Sequence, residues 1–184
     1  WIDEKYLSHF DYLEVDSEVK RQKTFDEPKE MKVYYSLTEG ESEEDKTYFS
    51  YNAVTSTSLD RDLYIAFQVL NYVLVQGVGA PVKQALLDAG IGSEIISFFE
   101  ESICQPVFSI IAKNVAGDKK DQFVTVIREK LEELVEQGIN RDSLNAGLNS
   151  LEFRYREADF GSYPKGLMYG LQIFDSWLYD SDKP

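Results

Sequence analysis

The sequence predicts an α+β fold of two layers, in which an antiparallel or mixed sheet carries helices on one face. Strand-like alternation occurs in two neighbouring pairs, at residues 29–37 with 47–56 and at residues 94–100 with 105–113. Helix-like apolar spacing fills the chain between and after these pairs. Strands that arrive in adjacent pairs favour antiparallel neighbours, whereas a doubly wound parallel sheet would alternate single strands with helices.

The first part of the chain is predicted to be the end of a preceding unit and a connector, over residues 1–28. Tyr6, Leu7 and Phe10 can share a short helical face before charged residues break the pattern. The α+β unit is then predicted to occupy residues 29–184. Because the chain begins with a tryptophan in sequence that already has structural character, we expect a processed or excised piece.

Both runs of the first strand pair alternate and are rich in the aromatic and β-branched residues that strands prefer. The alternating positions are Met31, Val33, Tyr35, Phe49, Tyr51, Ala53 and Thr55. The intervening loop, Glu39–Asp45, has five acidic residues in seven. A solvated hairpin tip is the ordinary interpretation of such a loop, and a binding role is the alternative.

Helices are predicted at about residues 60–75, 80–89, 119–137, 141–158 and 163–179. Asp60 and Asn140 are suited to cap helix N-termini, and Pro81 is suited to a first helical turn. Gly90 is suited to a left-handed C-terminal cap. Gly77 and Gly79 form no phosphate-binding motif, because neither a Lys-Ser/Thr pair nor a GxGxxG pattern is present, so they indicate a turn.

Composition limits the partners. Asp and Glu number 33 against 19 Lys and Arg, and the formal charge of −14 repels phosphate backbones, which argues against nucleic acid. Such a charge attracts basic peptides, although solubility alone also explains it. The apolar stretches are short and interrupted by charge, and none is expected to approach the roughly 20 residues of a membrane span, so no membrane partner is predicted.

No catalytic or metal-ligating residue is predicted in this chain. Catalytic zinc needs at least three protein ligands, usually including two histidines, and His9 is the sole histidine. Cys104 has no histidine or basic neighbour in sequence to activate it, and a small buried thiol is the simpler interpretation. Carboxylate pairs such as Glu43/Glu44 and Glu132/Glu133 are expected on solvated surfaces. Substrate-binding residues are not predicted.

The most distinctive stretch of the sequence is Leu144–Tyr179. Six shorter segments accompany it: Tyr6–Phe10, Val15–Glu18, Val69–Tyr72, Gly79–Leu86, Gln105–Ser109 and Leu131–Leu134. In their order, across essentially the whole chain, these segments resemble the presequence-protease branch of the pitrilysin/insulinase-like zinc metallopeptidases, also called peptidasomes.

The resemblance implies four related metallohydrolase-like half-units, of the type shared with LuxS and mitochondrial processing peptidase, that enclose a chamber. It implies that the first unit carries an inverted H-x-x-E-H zinc motif and that the last contributes an arginine and a tyrosine to the substrate site. This sequence corresponds to the end of the first unit and most of the second. It lacks the zinc motif, and Arg154/Tyr155 do not correspond to the arginine and tyrosine of the last unit.

The resulting hypothesis is a non-catalytic central fragment of a zinc metalloendopeptidase that degrades unstructured peptides. Its expected partners are the remaining units of the same polypeptide and the peptide substrates; zinc is implied for the parent and not for this fragment. The location would be cytoplasmic in a bacterium and organellar in a eukaryote. The alternatives are a stand-alone acidic peptide-binding module and an independent hydrolase with an unrecognised site.

Overall fold

The computed structural model describes residues 1–157, 160–180 and 182. The strands are β1 (Thr47–Val54), β2 (Glu94–Glu100) and β3 (Val107–Val115). The helices are α1 (Ile2–Lys5), α2 (Arg61–Asn71), α3 (Pro81–Asp88), α4 (Lys120–Gln137), α5 (Arg141–Glu157) and α6 (Lys165–Trp177). Position 158 of the predicted fourth helix and residues 181, 183 and 184 of the predicted unit lie outside the described residues.

Within the described part of the chain, the three strands form one antiparallel sheet in the order β1-β3-β2. The predicted antiparallel pairing of the third and fourth strands is confirmed, with Ile96 opposite Ile111. Pro106 directly precedes β3, as expected for a residue that has no N–H to donate. The predicted α+β class, with strands in antiparallel pairing, is therefore confirmed.

The predicted strand at residues 29–37 is wrong: this segment has no regular secondary structure. The apolar side chains of this alternating pattern do not pack into the core, since Met31 is 85% exposed and Val33 is 75% exposed. The segment is nevertheless held beside β1, because the Tyr35 hydroxyl donates to the backbone carbonyl of Lys46 and the Tyr35 ring contacts Tyr48. Side-chain contacts alone do not supply the backbone pairing that makes a strand.

The helix ends follow the predicted capping chemistry. The Asp60 carboxylate accepts from the Leu63 N–H at 3.1 Å, and the Asn140 side chain accepts from the N–H groups of Asp142 and Ser143. Gly90 adopts φ +65° after α3, where the Ile91 N–H donates to the Leu86 carbonyl at 2.9 Å. The helix boundaries are therefore set largely by local hydrogen bonding.

Helices α2, α3 and α4 cover one face of the sheet and form the core with it. Ile110 and Ala112 of β3 are buried against this layer, as are Leu86 of α3 and Phe123 and Ile127 of α4. Burial alternates along β3, so the intervening side chains point to the opposite face. The core thus lies between one sheet face and the helices.

The opposite sheet face carries no helix from the described part of the chain, and we call it the open face. It consists of the alternate strand residues Tyr48, Ser50, Asn52, Val54, Glu94, Ile96, Phe98, Glu100, Val107, Ser109, Ile111 and Lys113. At its centre, Asn52 Oδ1 accepts from the hydroxyls of Ser50 and Ser109 at 2.9 and 2.7 Å. A row of amide and hydroxyl groups thus lies beside exposed Phe98.

One stretch, Arg61–Asp88, is long and apolar enough to cross a membrane by length and composition. This corrects the expectation that no apolar stretch approaches that length. The stretch is made of α2, a π-helical turn at Tyr72–Gln76 and α3, with a break at residues 77–80. Val75, Val82 and Leu86 are buried in the core, so part of its apolar composition is accounted for by packing against the sheet.

Candidate functional site

The residues considered as candidates from the sequence do not come together in one place. His9 is exposed in a short 3-10 turn at Leu7–His9. Cys104 is half-buried in the loop between β2 and β3, less enclosed than the buried thiol predicted. Glu43 and Glu44 are exposed at the acidic tip, and Glu133 pairs with Lys130 at 2.6 Å on α4. No group of three His, Cys, Asp or Glu side chains among the described residues could hold a metal ion.

A polar cleft of about 120 Å³ lies where α2 and its π-helical turn meet α5 and the end of β2. Its polar lining consists of Gln68, Asn71, Gln76, Glu101, Ser150 and Arg154. A π-helical turn inside an α-helical run is rare and often marks a functional position. The cleft thus combines polar side chains with a π-helical turn in one concave place.

A hydrogen-bonded chain crosses the cleft from α5 to the residue after β2. The Tyr155 hydroxyl donates to Gln68 Oε1 at 3.3 Å, and Gln68 Nε2 donates to Glu101 Oε2 at 2.5 Å. Burial raises the pKa of the Glu101 carboxyl, with smaller contributions from Asp175, which raises it, and Arg154, which lowers it. Gln68 thereby links two elements that are distant in sequence.

A second polar contact joins α2 to α6. The Tyr64 hydroxyl donates to Asp175 Oδ2 at 3.3 Å. Burial raises the pKa of the Asp175 carboxyl and that of the Tyr64 hydroxyl, because both charged forms lose hydration there. The two helices α5 and α6 are thus attached to α2 through polar groups as well as apolar contacts.

Close packing at Gly147 brings α5 onto α2. A Cβ added at Gly147 would lie 3.1 Å from Val73 Cγ2 and 3.2 Å from Val69 Cγ1. A side chain at this position would be tight against both valines, so glycine favours the close approach of the two helices. Gly147 and Arg154 of α5 both line the cleft, so this contact contributes to its shape.

The lining of the cleft includes one carboxylate, one guanidinium and several amide and hydroxyl groups. Glu101 accepts from an amide, and no histidine accompanies it, since the one histidine of the sequence is in the 3-10 turn after α1. Sequence reasoning missed Gln68, Glu101 and Asp175. Gln68 did carry a signal, because it is a polar residue between Phe67 and Val69 in a strongly apolar helix.

A sequence profile described as the peptidase M16 inactive domain matches residues 1–151. The chain is 43% identical over 182 residues, 99% of its length, to "Protein HypA" of Clostridium perfringens, of which the match covers 19%. It is 30% identical over 168 residues to "Presequence protease 1, chloroplastic/mitochondrial" of Arabidopsis thaliana, covering 90% of this chain and 16% of that protein. It is 24% identical over 184 residues to "Presequence protease, mitochondrial" of Xenopus laevis, covering 98% and 18%. The chain spans less than a fifth of the length of these curated relatives.

Proposed function

Because this chain belongs to the M16 peptidase family and matches its inactive domain, we propose that it is a scaffold unit of a zinc metalloendopeptidase that degrades unstructured peptides. In this proposal the unit forms part of the wall of an enclosed chamber and holds the catalytic unit in place. The names of the relatives from Arabidopsis and Xenopus support targeting peptides as the substrate class.

The open face of the sheet is the observation that carries this proposal. A two-layer fold leaves one sheet face without a helix, and here that face presents hydroxyl and amide groups around Asn52 with Phe98 exposed beside them. Such a mixed surface is wetted by water and still contacts a flexible peptide through apolar and hydrogen-bonding groups. It is therefore suited to line a water-filled chamber.

A wall of this kind selects substrates by excluded volume. A folded protein is too large to enter an enclosed chamber, whereas an unstructured chain can enter and loses only conformational entropy when it does so. The net charge of the open face is small. Lys113 forms an ion pair with Glu94 at 3.1 Å, and Glu100 is the one other charged residue in the set that defines this face. Any preference for basic peptides would then arise from the net charge of −14 over the whole unit.

Zinc, which the family implies for the parent enzyme, does not fit the described residues of this chain. A catalytic zinc site takes three protein ligands, and the described residues contain no group of three candidate ligands. We therefore assign no reaction step to any residue here, and place hydrolysis in other units of the same polypeptide. Residues 1–28 would form the end of the preceding unit and the connector to this one.

The test uses the full-length polypeptide that contains this chain, with Asn52→Arg on the open face and Gln122→Arg on α4 as a control. Both positions are exposed and both changes add one positive charge. We expect Asn52→Arg to change kcat/KM for an unstructured quenched peptide at least threefold, while zinc content and the Gln122→Arg rates stay at the wild-type level. Equal rates for both variants would refute the wall assignment.

A stand-alone peptide-binding module is the second candidate. It is favoured by the strand order β1-β3-β2, which leaves β1 at an edge where an extended peptide could add a strand. A reading frame confined to this chain would support it. An H-x-x-E-H motif in the same frame would exclude it.

A further inference from the structure

Two neighbouring rows of side chains run along α6 and differ in environment. Met168, Gln172, Asp175 and Tyr179 are half-buried toward the rest of the unit, where Asp175 bonds to Tyr64. In the second row, each residue directly precedes a member of the first row in sequence. This second row is exposed: Leu167 by 51%, Leu171 by 49%, Phe174 by 47% and Leu178 by 72%. The more apolar of the two rows therefore lies in solvent, contrary to the usual orientation of an amphipathic helix.

We infer that this exposed row, which we call the α6 stripe, is the surface on which an apolar helix from another part of the same polypeptide packs. The inference rests on the proposed function, because it requires a polypeptide that extends beyond this unit. The four positions are separated by four, three and four residues, the alternating spacing of the a and d positions in a heptad. Side chains with this spacing form the contact surface along which two helices pack, each side chain fitting between side chains of the other helix.

The size of the stripe indicates a tethered partner. Thirteen helical residues span about 20 Å, and a strip about 10 Å wide gives roughly 200 Å². Separate molecules that form a stable complex bury about 800 Å² on each partner. A partner on the same chain needs less area, because the tether supplies a high effective concentration.

Charge argues against a second copy of this unit as the occupant. Each copy carries a net charge of −14, so association of two copies through one short helix would work against their repulsion. The stripe itself contains no charged residue, so the surface that covers it is apolar and not a basic peptide. The curated relatives have more than four fifths of their length outside the matched region, which provides ample chain for such a helix.

Site-specific photo-cross-linking in the full-length polypeptide tests this inference. The photoreactive residue p-benzoylphenylalanine is placed at position 171 in one variant and at position 173 in the other. Ile173 is a matched control, because it is 45% exposed on the same helix but lies about 130° around the axis from the centre of the stripe. We expect position 171 to cross-link to a helical peptide outside these 184 residues at least five times more efficiently than position 173.

Three outcomes would overturn the inference: cross-links from position 171 that fall within this unit, cross-links that join two copies, and equal yields at both positions. Leu171→Glu and Ile173→Glu provide a second measurement, in which only the first should speed hydrogen exchange of α6, by about tenfold. Neither readout requires peptide cleavage, so a failed chamber-wall assignment and a failed helix-docking inference give different results.

Discussion

The side chain of Gln105 holds both backbone groups of Gln22, a residue 83 positions earlier in the chain. The Gln22 N–H donates to Gln105 Oε1 at 2.7 Å, and Gln105 Nε2 donates to the Gln22 carbonyl at 3.1 Å. The amide side chain of Gln105 thus bonds to the N–H and the carbonyl of one residue, as the backbone of a neighbouring strand would. It fixes the connector against the loop that precedes β3, although the connector there has no regular structure.

Gln105→Ala should release the connector without unfolding the unit. Two exposed hydrogen bonds contribute about 1–2 kcal/mol together, so local opening should rise roughly 5- to 30-fold. Trypsin cleavage at Lys20, Arg21 and Lys23 measures this opening. Gln22→Ala is the control, because it removes only the bond from Gln22 Nε2 to the Lys23 carbonyl and keeps both bonds between Gln105 and the Gln22 backbone, so cleavage should stay near the wild-type rate.

Gly147→Leu should push α5 away from α2. The added side chain meets Val69 and Val73 at distances that leave no room for it, and overpacking of this kind costs about 1–3 kcal/mol. Urea unfolding measures the loss. Ala146→Leu on the exposed side of the same helix should change stability by less than about 0.5 kcal/mol, and an equal loss in both variants would argue against the close contact.

Glu101→Gln should make the unit more stable at neutral pH. Burial raises the pKa of Glu101 in the folded state above its ordinary value of 4.5, so the folded state binds the proton more tightly than the unfolded state. Stability from this group is then present below pH 4.5 and is lost as the pH rises through the folded pKa. The neutral amide avoids that loss and still accepts from Gln68.

Thermal unfolding between pH 4 and 7 measures this effect. The groups that face Glu101 are Gln68 of α2, Arg154 of α5, Asp175 of α6 and Glu100 of β2. As the pH rises over this range, the Tm of the wild type should fall more than the Tm of Glu101→Gln. Glu129, which is exposed on α4, provides the control, and Glu129→Gln should behave as the wild type does. A larger pH dependence in Glu101→Gln than in wild type would contradict the assigned burial effect.

Cleavage of basic peptides by the full-length enzyme should weaken as salt is added. Screening lengths fall from about 30 Å at 0.01 M to about 8 Å at 0.15 M, which removes long-range attraction to the charge of −14. We expect kcat/KM for a basic peptide to fall several-fold over that range, and that for a neutral peptide of equal length to change little. Equal salt responses would show that the charge serves solubility.

Local chemistry accounts for the parts of the fold that could be predicted from sequence. Asp60, Pro81, Gly90 and Asn140 act through groups within a few residues of themselves, and each lies where capping chemistry places it. The alternation in β2 and β3 was readable because a helix layer buries every second side chain.

The errors arise where a partner surface decides the outcome. Residues 29–37 have strand-like alternation, but backbone pairing depends on an edge that sequence patterns do not reveal. The polar chain through Gln68 and Glu101 joins residues 33 positions apart, and the cleft around them forms only where α5 packs beside α2 and the end of β2. Sequence spacing within one helix carries no information about such contacts.

Zinc content and peptide cleavage of a His9→Ala variant test the central claim most directly. His9 is the sole histidine of these 184 residues and is exposed, so this change removes every imidazole from the sequence without disturbing the core. In the full-length polypeptide we expect wild-type zinc stoichiometry and wild-type kcat, because the metal is held by other units. Loss of zinc together with loss of peptide cleavage in a correctly folded His9→Ala protein would contradict the claim that this unit is non-catalytic.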